Sequence, residues 1–177
     1  MNLFSSISRG ALAMVLLCVV AGTIAAQGKE LPSFIQPAHG EVIERWLAQS
    51  PRRANLRVAT DRDCRNKEGL AAERKERRNY QPYYAAGDFN HDGREDFAVA
   101  FVDDRKRRYK FTFAIFNGPF RGASVPAYLN QDSDLSMMGF SWHGRGDDLL
   151  LGEFQSDFCV IFKPRGKTYR AQDCLSD

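Results

Sequence analysis

Residues 88 to 96 read Asp-Phe-Asn-His-Asp-Gly-Arg-Glu-Asp, with oxygen-bearing side chains at the first, third, fifth and ninth places: Asp88, Asn90, Asp92 and Asp96. Gly93 holds the sixth place, where a tight loop needs φ > 0 or room for close backbone approach. A short loop of this spacing can wrap hard oxygen ligands around one Ca²⁺, with the backbone carbonyl of Arg94 at the seventh place. The competing reading is an Asp/Asn/Gly turn that caps a hairpin and holds no metal. The expected role of the ion is to stabilise the loop, not to catalyse.

Other chemistry is weakly signalled. The three histidines are His39, His91 and His143, and no His-x-x-x-His, His-Glu-x-x-His or Cys-x-x-Cys spacing exists to hold a transition metal. His91 falls at an even place of the Asp-rich loop and should point outward to solvent. Gly-x-Ser-x-Gly is absent, as is the full Gly-x-x-x-x-Gly-Lys-Ser/Thr phosphate-binding loop. A nucleophile could still be built from Ser141 with His143, or from Cys159 with a distant histidine. Tyr80, Tyr83 and Tyr84 surround Pro82 and could form an exposed aromatic patch, or pack beside a neighbouring helix. Basic clusters at 52–53, 74–78 and 105–108 have acids close by, so they read as solvated faces before they read as a surface for anionic polymers.

These residues need elements to position them. Val42, Ile43, Trp46 and Leu47 have helical spacing over 41–49, with Trp46 inward and Ser50-Pro51 as the stop. A second helix is expected over 66–78, capped by Asn66 and thin in apolar residues. From Tyr83 the pattern turns to alternation. Strands are expected at 83–86, at 97–102, and from Tyr109 to Ile115 with Tyr109, Phe111, Phe113 and Ile115 on one side. A loop from Phe120 to Asp134, with a short strand near 124–128, precedes strands at 136–142, 148–154, 156–163 and 167–172. Two helices followed by a run of strands predict an α+β fold, with both N-terminal helices on one face of an antiparallel meander sheet.

The twelfth place of the Asp-rich loop is Val99, and a strand follows where an EF-hand has a helix, so the EF-hand is excluded. Residues 84–100, Tyr-Ala-Ala-Gly-Asp-Phe-Asn-His-Asp-Gly-Arg-Glu-Asp-Phe-Ala-Val-Ala, resemble the FG-GAP repeat of integrin-like propeller proteins. That resemblance implies Ca²⁺ ligation by Asp88, Asn90, Asp92, Asp96 and the Arg94 carbonyl. The motif occurs once, and a propeller needs several blades, so the resemblance extends to the loop and not to the fold.

The N-terminus reads as a targeting segment. Arg9 precedes an apolar run from Ala11 to Ala26, with small residues suited to cleavage before Ala26 or Gln27. Residues 1–26 are the predicted signal peptide and 27–177 a single soluble domain with no membrane span. Losing Arg9 lowers the formal charge by one unit from +3, a balance that gives no argument for nucleic acid. After cleavage Cys64, Cys159 and Cys174 remain. Export favours one disulfide, and the polar surroundings of Cys64 and Cys174 favour pairing those two, with Cys159 a buried thiol. The function expected is that of an exported monomeric binding module, periplasmic or secreted, with an envelope protein or polysaccharide as partner. The alternative is a small envelope hydrolase without a recognisable motif.

Overall fold

The computed structural model describes residues 30–122, 125–144 and 146–174, and the predicted signal segment lies outside them. Nine strands carry the fold. They are β1 (Leu56–Val58), β2 (Tyr84–Gly87), β3 (Asp96–Asp103), β4 (Phe111–Phe116), β5 (Tyr128–Ser133), β6 (Met138–Ser141), β7 (Leu149–Glu153), β8 (Cys159–Arg165) and β9 (Thr168–Asp173). Two α-helices, α1 (Pro37–Ala48) and α2 (Lys67–Glu76), precede β2.

The strands form two antiparallel sheets. In the first, β3 is central: β4 lies along one edge, followed by β5, while β1 and β2 share the other edge end to end. In the second, β6 to β9 run in sequence order as a meander. The expected α+β fold, with both helices on one face of a single sheet, is therefore wrong. Among the described residues the fold is mostly β, with helix in only 20% and no closed barrel or propeller.

The reason lies in β3 and β4, which are buried along their whole length. A strand buried on one face alternates apolar and polar; one buried on both faces is apolar throughout. Phe97, Val99 and Phe101, with Ala114 and Phe116 of β4, meet Val42, Ile43 and Trp46 of α1. Trp46 tilts against Phe101 at 4.9 Å between ring centres, and Phe97 stacks on Phe116 at 4.9 Å. Ala98, Ala100 and Val102 face the other way and, with Phe111, Phe113 and Ile115, pack against Phe140, Leu149, Leu151, Phe162 and Tyr169 of the second sheet. One layer of strands could not satisfy both faces, so the later strands form a second sheet and cover the one that α1 leaves open. The small residues of β3 lie between the sheets and the large ones under the helix. Fully burying one such Phe is worth roughly 1.5–3 kcal/mol.

Each helix follows its local signals. Pro37 starts α1 where the missing N–H costs nothing. Asn66 caps α2 by accepting the Gly69 N–H at 2.8 Å. Leu70 is the one large side chain that α2 buries, and it joins the cluster between the sheets, not the one beneath α1.

Several element boundaries differ from expectation. The short strand β1 was not anticipated. Strand β5 starts where the short strand near 124–128 was expected to end. Tyr109 lies outside β4 in a turn with φ +48° and is 61% exposed, so it does not share the buried side of Phe111 and Phe113. Strand β8 runs through Pro164 to Arg165 and turns at Gly166-Lys167, with φ +61° at the glycine. Among the described residues no helix is long and apolar enough to cross a membrane.

Candidate functional site

The Asp-rich loop joins β2 to β3 as a strand–loop–strand unit, with Gly87 paired to Asp96 at its base. Gly93 has φ +81°, the conformation its place requires, and His91 also takes a left-handed φ of +61°. Asp88 Oδ1 and Asn90 Oδ1 both accept the Asp92 N–H at 3.0 Å, so these two oxygens are neighbours. Asp88 Oδ2 accepts the Gly93 N–H at 2.9 Å, and Asp92 Oδ1 the Arg94 N–H at 2.9 Å. Asn90 Nδ2 comes within 3.4 Å of Asp92 Oδ2. The first, third and fifth side chains thus converge.

Asp96 sits differently. Its carboxylate is fully buried and accepts the N–H groups of Phe89 (3.1 Å), Asn90 (3.2 Å) and Gly118 (3.0 Å). The Tyr169 hydroxyl of β9 lies 3.2 Å from Asp96 Oδ2 and 2.9 Å from Asn117 Oδ1; with one proton, it donates to one of them at a time. Burial raises the Asp96 pKa; the Gly118 and Asn90 N–H groups and Tyr169 oppose this, and the nearby Asp92 charge adds to it. The Tyr169 phenol is likewise pushed up, by burial and by the charges of Asp96, Asp92 and Asp88. Among the described residues no Lys or Arg pairs with any of these three carboxylates.

No three His, Cys, Asp or Glu side chains among the described residues converge closely enough to hold a metal on their own. The donor chemistry nevertheless suits a hard divalent cation. Three side chains carrying oxygen turn together above a buried carboxylate that lacks a cationic partner.

Trp142, just past β6, ties the loop to a groove. A Cβ placed on Gly87 would come within 2.6 Å of the Trp142 ring, so only glycine lets the indole lie on β2. The same ring meets Phe89 edge-on at 5.9 Å and donates its N–H to the Asp147 carbonyl at 3.1 Å. With Phe34 and Tyr84 it lines a groove of about 520 Å³, whose polar lining is Arg77, Asn79 and Gln81. Of the tyrosines around Pro82, Tyr80 and Tyr83 are buried, and Tyr80 and Tyr84 line the groove, so packing is the main role of that cluster.

The histidines separate by role. His39 is fully buried on α1, stacked on Phe97 at 4.2 Å, with Nδ1 2.6 Å from the Tyr84 hydroxyl. Its Nε2 is 3.1 Å from Glu95 Oε1 but is not aligned for a hydrogen bond. Burial lowers the His39 pKa, against the pull of Glu95. Burial pushes the Tyr84 phenol up to about 12. His91 points outward as expected and meets Asp148 at 3.5 Å, which in turn pairs with Lys163 at 2.5 Å. Ser141 Oγ lies 3.0 Å from His143 Nε2, so one of the two pairings that the sequence left open is within hydrogen-bond distance.

The expected Cys64–Cys174 disulfide is contradicted. Cys159 and Cys174 are bonded, with Cα atoms 5.5 Å apart, and the Cys174 N–H also donates to the Cys159 carbonyl. Cys64 is a buried free thiol whose pKa burial raises. The bonded Cys159 is not available as a nucleophile. The sequence could not show this pairing, because it depends on the register of β8 and β9 and not on local polarity.

Tyr169, Gly118, Trp142 and the His39–Glu95 contact were all missed from sequence. Tyr169 is 73 residues from Asp96, and no local pattern marks it. Gly87 beside an aromatic-rich segment was the one usable signal. No family model matches the chain, and no curated protein or solved structure matches it.

Proposed function

We propose that the chain is an exported binding module in which one Ca²⁺ fixes the Asp-rich loop and the adjoining groove takes a polysaccharide segment. The observation that carries this reading is Trp142, a single ring that packs on Gly87 and Phe89 at the start of the loop and also lines the groove. Aromatic faces at Phe34, Tyr84 and Trp142 suit the apolar faces of sugar rings, while Arg77, Asn79 and Gln81 supply hydrogen bonds to hydroxyls. Asp88, Asn90, Asp92, Asp96 and the Arg94 carbonyl would hold the ion, as in the FG-GAP loop they resemble. The ion supplies positive charge beside a buried carboxylate that no side-chain cation balances.

Calorimetry with neutral, amino-sugar and uronic-acid oligosaccharides tests the groove. The parent binds at least one class, and Trp142→Ala weakens that binding at least tenfold, about 1.4 kcal/mol, while keeping its circular dichroism spectrum. Absence of binding across the panel, or equal affinity in the variant, overturns the reading.

A further inference from the structure

We propose that Ser141 and His143 form a nucleophile–base dyad that hydrolyses acyl esters, with the Arg77 guanidinium placed to stabilise the attacking oxygen. This does not depend on the polysaccharide reading. It rests on the contacts of Ser141 with His143 and Arg77, of which only Arg77 also lines the polysaccharide groove.

Ser141 is the last residue of β6, and His143 follows it by two residues in the loop beyond the strand. Ser141 Oγ is within 3.0 Å of His143 Nε2, the distance at which an imidazole can take a hydroxyl proton. Arg77, at the C-terminal cap of α2, donates from Nη1 to the same Ser141 Oγ at 3.0 Å. The hydroxyl oxygen thus accepts from a cation while its proton is directed at a base, the polarity that favours an alkoxide. Arg77 is itself held in place. It pairs with Glu73 one turn back on α2, and its guanidinium lies over the Tyr80 ring at 4.4 Å. A groove of about 460 Å³ opens on the serine, lined also by Glu73, Arg77, Leu150 and Gly152, while Gly139 beside it is covered by Tyr80 and Phe154.

The reaction balances without a cofactor. The Ser141 Oγ–H proton passes to His143 Nε2 as Oγ bonds to the ester carbonyl carbon. The alcohol leaves with the proton from His143. Water then attacks the acyl-serine, giving its proton to His143 and returning it to Ser141 as the carboxylic acid departs. Among the described residues no side chain holds His143 Nδ1, so turnover should be slow compared with that of a full triad.

The test uses the full-length chain purified after expression. Incubation with a fluorophosphonate and peptide mapping should give one adduct, on Ser141. p-Nitrophenyl acetate should release a burst of about one equivalent of nitrophenol, the signature of an acyl-enzyme. Ser141→Ala should abolish both signals, and His143→Ala should slow labelling roughly 10²-fold. Mapping the parent protein needs no variant, so a misfolded Ser141→Ala does not block the answer. An unlabelled Ser141, or hydrolysis at the parental rate in a folded Ser141→Ala, overturns the proposal. Labelling at the parental rate in His143→Ala overturns the role of the base. Chelator separates the two proposals, since it acts on the Asp-rich loop and leaves serine labelling unchanged.

Discussion

Replacing Asp96 with asparagine sets the chemistry of a buried charge against that of a buried donor. The carboxylate is fully buried, accepts three backbone N–H groups and meets the Tyr169 hydroxyl. Asparagine keeps one acceptor oxygen. If that oxygen faces Phe89, Asn90 and Tyr169, the amide nitrogen faces the Gly118 N–H, and an unpaired buried donor costs roughly 1–3 kcal/mol. Against this, the variant removes an ionised group whose pKa burial raises. A raised folded pKa contributes stability that is fully present below the unfolded value and lost as pH rises through the folded value. In chelator, the deficit of Asp96→Asn relative to the parent should therefore shrink as pH rises from about 4, the unfolded carboxylate value, towards neutrality. With about 10 mM Ca²⁺, a hundredfold above a Kd on the order of 10⁻⁴ M, the parent gains roughly 2.7 kcal/mol. At about 2–4 °C per kcal/mol for a domain of this size, its Tm rises about 5–11 °C. The variant, short of one carboxylate, should gain less than half of that. Thermal melts of both proteins across pH, in chelator and in Ca²⁺, measure each quantity. A parent Tm equal in chelator and Ca²⁺ refutes the metal argument. A variant that loses ground to the parent as pH rises refutes the charge argument.

Three further outcomes follow from groups elsewhere. His39 has its pKa lowered by burial, so it contributes stability above the unfolded value of about 6.5 that is lost as pH falls through the folded value. Denaturant unfolding from about pH 7.5 down to 5 should show that loss, and His39→Gln should flatten it; an unchanged slope in the variant refutes His39 as its source. Reducing the Cys159–Cys174 bond, which spans 15 residues, should cost about 3 kcal/mol, read from denaturant midpoints of Cys159→Ser with Cys174→Ser. In the native parent, the buried Cys64 should resist alkylation; rapid native labelling there would contradict its burial.

The sequence carried the local chemistry further than the layers. Asn66 as a cap, Trp46 as an inward anchor, the left-handed Gly93 and the outward His91 are each fixed by a few neighbouring residues, and all stand in the structure. The second sheet is a long-range choice. The clue to it was present in β3, where Phe97-Ala98-Val99-Ala100-Phe101-Val102 is apolar at every position. Such a run belongs to a strand covered on both sides. Two helices cannot be placed on one face while the other face of that strand is left to water. Strand β5 was hidden for the opposite reason: Tyr128 to Ser133 is an edge strand with exposed polar residues, so neither periodicity nor hydrophobicity marks it.

The candidate site belongs to the junction between layers and not to one hairpin. Phe89 is fully buried and holds Trp142 from the second sheet. Asp96 meets Tyr169 of β9, and His91 meets Asp148, which is paired with Lys163 of β8. On the other side, Glu95 reaches His39 of α1. One loop therefore touches the helix layer and both sheets, through residues that alternate with its oxygen donors: Phe89, His91 and Glu95 lie at the second, fourth and eighth places. The first, third and fifth places turn towards one another, and the even places carry the contacts outward. Whatever neutralises the inner carboxylates must then act on the packing between layers. The proposed Ca²⁺, if bound there, would therefore change both the charge at Asp96 and the position of Trp142, the ring that lines the groove.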